Sequence, residues 1–294
     1  MNEIIPSQLI SLHGGHSGQF CCHARDSLEQ IIQAYVENGF KRVGISEHMP
    51  PPGDDQRYPD EIEKGFSAAD LLDRFTRYFE ELDRLKEKYQ EQIRIFRAFE
   101  TETFTGWEAQ TAALMEKFKP DYVVGSLHHV QDVCFDYSPQ ARKGLVQALG
   151  SEQALYLAYL DTQYEMLRRL QPFVVGHFDI IRIHDPDYES RFRIPEIWEK
   201  VDRNLALIKD LGLCMDYNLR PLSRGEAHAY PCPDILNRAR QLGIIMVPGD
   251  DAHGRHQAGA HVARAVRDLA ALGFSTNWPA PFCRPFYHTK EAHP

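Results

Sequence analysis

Imidazoles and carboxylates recur along this chain in short clusters. They are His13 with His16, His23, Glu47-His48, Glu100 with Glu102, His128-His129, His177 with Asp179, Asp216 with Asn218, and Asp250-Asp251 with His253. Neutral imidazole nitrogens and ionised carboxylate oxygens are the ligands that divalent Zn, Fe and Mn accept. About eight such groups exceed what one tetrahedral ion can use, so they suit two or three ions sharing a carboxylate. Clustered cations lower the pKa of a bound water, generate hydroxide near neutral pH and clamp both ends of a phosphoryl transfer. Taken singly, a histidine beside a strand is more often a hydrogen-bonded or exposed residue than a ligand. The argument rests on the recurrence of these groups at equivalent places.

Those places are set by the elements between the clusters. Strands are predicted over residues 8–13, 41–46, 93–100, 122–127, 173–177, 212–217 and 243–248. Helices are predicted over 27–37, 71–89, 107–118, 154–170, 195–211, 233–241 and 260–272. Asp26 or Ser27 suits the N-cap of the first helix, and Gly39 its stop. Leu71, Leu72, Phe75, Tyr78, Phe79, Leu82 and Leu85 form an apolar stripe at helical spacing, which reads as core packing and not as a cofactor box. Seven strand–helix units in series predict a parallel sheet, and seven favour closure into a barrel. In such a barrel every strand C-terminus opens on one rim, the face where barrel enzymes keep their active sites. Each cluster above follows a predicted strand, so the rim collects them all.

Composition narrows the class. The 294 residues are 43 % hydrophobic and 26 % charged, ordinary for a folded globular chain, and no apolar run approaches the length of a membrane span. The net charge of −9 disfavours long nucleic acid as a partner. Six cysteines form no CxxC and read as reduced thiols, with Cys21 and Cys22 expected to pack. There is no GxGxxG and no P-loop. Residues 1–294 read as one domain, with about 277–294 a tail packing on the barrel. The first residues have no basic region followed by a cleavable apolar stretch, so a cytoplasmic location is expected. The loop 49–69, rich in Pro, Gly and acids, suits a lid over the rim, whose Asp54, Asp55 or Asp60 could meet a cationic amine.

The strings SLHGGHSGQFCCHA, GISEHMPPP, FRAFETE, VVGSLHH, VGHFDIIR, MDYN and GDDAHG occur in that order over almost the whole chain. Together they resemble the polymerase-and-histidinol-phosphatase (PHP) family, and within it the monofunctional histidinol-phosphate phosphatases most of all. The resemblance implies a distorted (β/α)7 TIM-like barrel with a trinuclear centre of Zn, Fe or Mn. It further implies hydrolysis of a small phosphomonoester, L-histidinol phosphate, to L-histidinol and phosphate by a metal-bound hydroxide. Carried onto this chain, one ion takes His13, His16, Glu100 and Asp251; a second takes His23, His48 and His253; a third takes the other oxygen of Glu100 with His128 and His177. Glu100 is then the bridge, and Asp251 and His253 are candidates to protonate the leaving alkoxide. Arg224 and Arg220, after the sixth strand, and Arg255, after the last, are the candidate phosphate-binding cations.

One departure concerns the first motif. The family reads His-x-His there, whereas this chain reads His13-Gly14-Gly15-His16, and a glycine bulge is the expected way to restore convergence. The alternatives are a PHP-type esterase for another small phosphate ester, or a metal-binding barrel without activity. An amidohydrolase-type barrel is disfavoured because no Lys stands at a predicted strand end.

Overall fold

Strands buried on both faces carry continuous apolar runs without alternation. Val43, Gly44, Ile45, Ser46 and Glu47 are accordingly all buried. The computed structural model describes residues 9–286; Gln8, His288, His293 and the remainder of 287–294 lie outside the described residues. In chain order the elements are β1 (Ile10–Ser11), α1 (Leu28–Glu37), β2 (Arg42–His48), α2 (Pro59–Glu63), α3 (Ala68–Tyr89), β3 (Arg94–Glu100), α4 (Trp107–Phe118) and β4 (Val124–Gly125). A hairpin of β5 (His129–Val130) and β6 (Val133–Cys134) follows, then α5 (Pro139–Leu149), α6 (Glu152–Leu170), β7 (Val174–Val175), α7 (Tyr188–Phe192) and α8 (Pro195–Leu211). The chain continues through β8 (Cys214–Asn218), α9 (Arg220–Ser223), α10 (Pro233–Leu242), β9 (Ile245–Gly249) and α11 (Val262–Ala271).

Seven strands pair in the order β1-β2-β3-β4-β7-β8-β9, every neighbouring pair parallel. The ends of this sheet meet. Leu12 N donates to Pro248 O at 2.9 Å, Asp251 N to His13 O at 2.9 Å and His16 N to Ala252 O at 2.7 Å. The result is a nearly closed seven-stranded barrel ringed by helices, as the strand–helix alternation predicts.

Those closing bonds explain why β1 is shorter than the predicted 8–13. After Ser11 the chain turns its backbone donors from β2 to β9 and the segment that follows it. They also explain the two glycines, though not by a bulge. Neither Gly14 nor Gly15 has a positive φ. A Cβ on Gly14 would lie 2.0 Å from Gly44 O, and one on Gly15 2.8 Å from Ile31 Cγ2. The glycines therefore permit close approach of β2 and α1. Gly14→Ala is expected to destabilise the protein by about 3 kcal/mol, the scale of overpacking against backbone that cannot yield. Denaturant unfolding measures this, and a loss below roughly 0.5 kcal/mol, the level of an ordinary surface change, would contradict it.

Helix starts follow local chemistry. Ser27 caps α1 in a capping box with Gln30. A Ser67–Asp70 capping box starts α3 at Ala68, three residues before the predicted 71. Ser151 likewise starts α6 at Glu152 and not at 154. The stretch 129–149, to which no element was assigned, holds the hairpin and α5. Two-residue strands are too short to show periodicity, and α5 is marked only by the Ser138 cap before Pro139. In the last described segment Trp278 Nε1 donates to Met246 O at 2.7 Å, and Phe282 meets the Phe173 ring at 5.3 Å. No helix among the described residues is long and apolar enough to cross a membrane.

Candidate metal centre

Parallel register builds the site. β2 and β3 pair with His48 opposite Glu100, so both finish at one level of the rim. Glu100 is 1 % exposed and lies at the centre of the cluster. Its Oε1 is 2.9 Å from His177 Nε2 and 3.1 Å from His128 Nε2. Its Oε2 is 3.3 Å from His13 Nε2, 3.4 Å from His48 Nδ1 and 3.5 Å from His16 Nε2. Asp251 Oδ1 is a further 3.3 Å from His16 Nε2. The His13-Gly14-Gly15-His16 turn therefore brings both imidazoles to Glu100. A Cβ on Gly249 would lie 2.7 Å from His13 Cβ and 2.1 Å from Asp216 Oδ1, so close approach is also required on the β9 side.

The far nitrogens of His13 and His128 are held by carboxylates. His13 Nδ1 donates to Asp216 Oδ2 at 2.8 Å, and His128 Nδ1 to Asp136 Oδ2 at 2.9 Å. Glu102 Oε1 is 3.0 Å from His48 Nδ1, while Glu102 Oε2 is 3.2 Å from His129 Nδ1. Asp60, from the loop 49–69, is 3.2 Å from His23 Nδ1. Glu47 accepts from Ser17 N and Oγ and stands 3.6 Å from His16 Nδ1. Such partners orient an imidazole and fix which nitrogen faces a metal.

The donor set fits divalent cations. Ligand atoms about 2.1 Å from one ion lie roughly 3.0 to 3.4 Å apart in octahedral or tetrahedral arrangements, wider than a short hydrogen bond. The contacts of Glu100 and Asp251 span that range. His13 Nε2 and both nitrogens of His16 are buried with no hydrogen-bond partner, although carboxylate oxygens surround them. Four sets place their donor atoms within 4.8 Å of one another: His13-Glu100-His177, His13-His16-Asp251, His48-Glu102-His128 and His16-Cys21-His48-His253. Cys21, expected to pack, is buried but also brings its Sγ to the last of these sets.

Charge reinforces the fit. Burial raises the cost of ionising Glu100, yet His13, His48 and His128 hold its carboxyl well below the ordinary range. Asp251 is held down in the same way, against burial, by His13, Arg220 and His16. Burial pulls His16 down, but the carboxylates of Asp251 and Glu47 beside it lift it to about 9. Burial, with Arg220 and His16 alongside, pushes His253 well below its usual value. Burial likewise lowers His48 despite Glu100. Buried acids thus stay ionised and call for positive charge, while His48 and His253 present neutral nitrogens.

A cavity of ≈ 200 Å³ opens over this cluster. Its floor includes Glu100, His128, His177, Asp251 and His253; Tyr58, Tyr137, Ile180 and Ile183 make an aromatic and apolar wall; Arg220 and Arg224 close another side. Arg220 Nη1 donates to Asp251 O at 2.8 Å and touches His253 Nδ1, so it braces the β9 ligands. Arg224 lines the cavity and is exposed. Arg255 is not brought to the site. Its backbone N binds Asp26 and its guanidinium pairs with Glu37 at 3.0 Å on α1, because the chain turns outward after His253. Asp250 faces away too, accepting from Ser11 Oγ and Tyr35 OH, while Asp179 pairs with Arg182. A larger cavity of ≈ 380 Å³ beside α10 and α11 contains none of the metal-ligating sets.

Four lining residues escaped the sequence reading. Asp136 and Tyr137 follow the hairpin, eight and nine positions after His128, with no motif around them. Ile183 closes a single 3-10 turn, and Tyr230 lies in the loop after α9, bridged to Asn218. Only folding brings these loops to the rim.

Fold and site together define a barrel protein that gathers histidines and carboxylates able to hold metal at its strand C-termini. The family model described as the PHP domain matches residues 12–219. The chain belongs to the PHP domain family. It is 34 % identical over 269 residues, 90 % of this chain and 87 % of the relative, to a Schizosaccharomyces pombe protein carrying the name "Probable histidinol-phosphatase". The Saccharomyces cerevisiae histidinol-phosphatase is 26 % identical, covering 89 % of each chain. Among solved structures, a protein of Listeria monocytogenes assigned as a histidinol phosphatase superposes with a TM-score of 0.77 and 25 % identity. That match covers 87 % of this chain and 99 % of the other.

Proposed function

We infer that this chain is a metal-dependent phosphomonoesterase acting on L-histidinol phosphate, yielding L-histidinol and phosphate in cytoplasmic histidine biosynthesis. The observation that carries the chemistry is Glu100, one buried carboxylate whose two oxygens are shared among five imidazoles. The substrate assignment leans on relatives bearing that name over nearly the whole chain. The cavity suits it: cationic groups and the histidine cluster on one side receive a phosphate, and the wall of Tyr58, Tyr137, Ile180 and Ile183 receives a planar ring.

His13, His16, Glu100 and Asp251 would hold one cation; His23, His48 and His253 a second; Glu100, His128 and His177 a third. Two to three such ions, of Zn, Fe or Mn, supply a water activated near neutral pH and neutralise the phosphoryl oxygens. The protein's own groups do the rest. Arg224 reaches into the cavity from an exposed loop and orients the phosphate through its forked donors. Arg220 fixes His253 and the backbone of Asp251, so the β9 ligands do not shift as charge moves. Asp251, held ionised, and His253, held neutral, would serve as cation ligands, and the leaving oxygen would take its proton from water in the cavity.

Phosphate release from L-histidinol phosphate, set against a panel of other phosphomonoesters and paired with elemental analysis, tests this reading. Activity confined to other esters would remove the substrate and keep the site. Arg224→Ala is expected to raise KM about tenfold and change kcat less than about threefold, because an exposed phosphate contact made in both ground and transition states acts chiefly on binding. Steady-state kinetics check this; a kcat loss exceeding the KM rise would put Arg224 in the chemical step.

A further inference from the structure

The histidine positions differ in what holds them. His13 leans on Asp216 of β8 and His16 on Glu47 of β2, and His128 leans on Asp136 just beyond the β5–β6 hairpin. His23 directly, and His48 through Glu102, meet instead the segment between β2 and α3. Asp60 binds His23 Nδ1 at 3.2 Å. Tyr58 OH donates to Glu102 Oε1 at 2.8 Å, the same oxygen that faces His48 Nδ1 at 3.0 Å. The Tyr58 ring also lies against His23 at 5.9 Å, His48 at 6.0 Å and His129 at 5.5 Å.

This segment has little else to hold it. Helix α2 buries no residue, and Ile62 on it is 53 % exposed. Of its remaining bonds, Arg57 Nη1 to Phe66 O is internal, while Ala68 N to Asp54 Oδ1 and Gln110 Nε2 to Pro50 O tie it to α3 and α4. Lys64 Nζ to Cys22 O at 2.5 Å adds one more tie, again beside His23. Beyond the buried Pro50 and Pro51 at its start, the segment docks mainly on the partners of two histidines and is stable only as far as those histidines are ordered.

The geometry points to Tyr58 and Asp60 as positioning residues that couple docking of residues 50–66 to cation binding at His23, His48 and His253. This rests on the metal-centre reading above and adds that one position of the centre is conditional on a lid. By linkage, an ion there tightens the lid by the same factor that the docked lid tightens the ion. Outer partners of metal ligands typically govern affinity by about 10- to 100-fold.

The test uses the whole chain stripped of metal and titrated with ZnCl2. The Tyr58→Phe/Asp60→Asn double variant should bind its weakest zinc about 10- to 100-fold less tightly than wild type and retain the others, as read by equilibrium dialysis and elemental analysis. In unmodified protein, zinc should slow tryptic cleavage after Arg57 and Lys64 at least tenfold; the double variant should gain no such protection. Wild-type zinc affinities in the double variant, or cleavage in wild type indifferent to zinc, would overturn the proposal. If wild type binds no zinc, the metal-centre reading and this proposal fall together. If it binds zinc with lid protection yet hydrolyses no phosphomonoester, the proposed function falls and the coupling stands.

Discussion

Glu100→Gln should lower kcat for phosphate release by about a thousandfold or more, the scale for a group whose loss removes a shared ion from the reaction. The side chain keeps its size, so packing is unchanged. What disappears is the one charge that faces His13, His16, His48, His128 and His177 together. A neutral amide offers one carbonyl oxygen where two anionic oxygens stood, so it cannot join two positions. Elemental analysis should show at least one ion fewer per chain. The variant should fold, because the amide fills the same space and the barrel's apolar core does not use the Glu100 side chain. Its thermal stability should respond less to added metal than that of wild type. Retention of more than a tenth of wild-type kcat with full metal content would show that Glu100 is not the bridge.

Exhaustive chelation should abolish phosphate release, and added divalent cation should restore it. The effect extends to stability. Free ion at about a thousand times its dissociation constant stabilises the folded state by about 4 kcal/mol per site. For a chain of this size that corresponds to a melting shift of roughly 10 °C. The barrel itself should persist, because its core is apolar and the bonds that close it are made by backbone atoms, not by the imidazole and carboxylate side chains that face the cations. Scanning calorimetry before and after stripping, with activity read in parallel, checks both parts. Full activity after complete removal of metal would rule out the proposed chemistry. Loss of cooperative unfolding would show instead that the cations are needed for the fold.

The strand–helix alternation, the parallel barrel and the gathering of imidazoles and carboxylates after the strands were all legible in the one-dimensional pattern. The reason is physical: in a parallel barrel, connectivity alone sends every strand C-terminus to the same rim, so position along the chain predicts position in space. Register then turns that rim into a site, as His48 opposite Glu100 shows. Where contacts run between distant loops, the pattern was silent. Asp136 behind His128 and Tyr58 on Glu102 are pairings across loops whose paths no periodicity describes.

Two expectations changed for the same reason. Arg255 follows the last ligand in sequence, yet the backbone turns it outward to Glu37, and adjacency along the chain does not survive that turn. Gly14 and Gly15 were read as a bulge because spacing suggests flexibility, whereas the structure uses their missing side chains to let β2 and α1 approach. The sequence by itself determined which chemistry collects at which end of which fold, since ligand type and strand order are local properties. Only the tertiary structure decided which carboxylate steadies each imidazole, which arginine faces the cavity and how closely the strands meet, because those depend on packing between segments far apart in the chain.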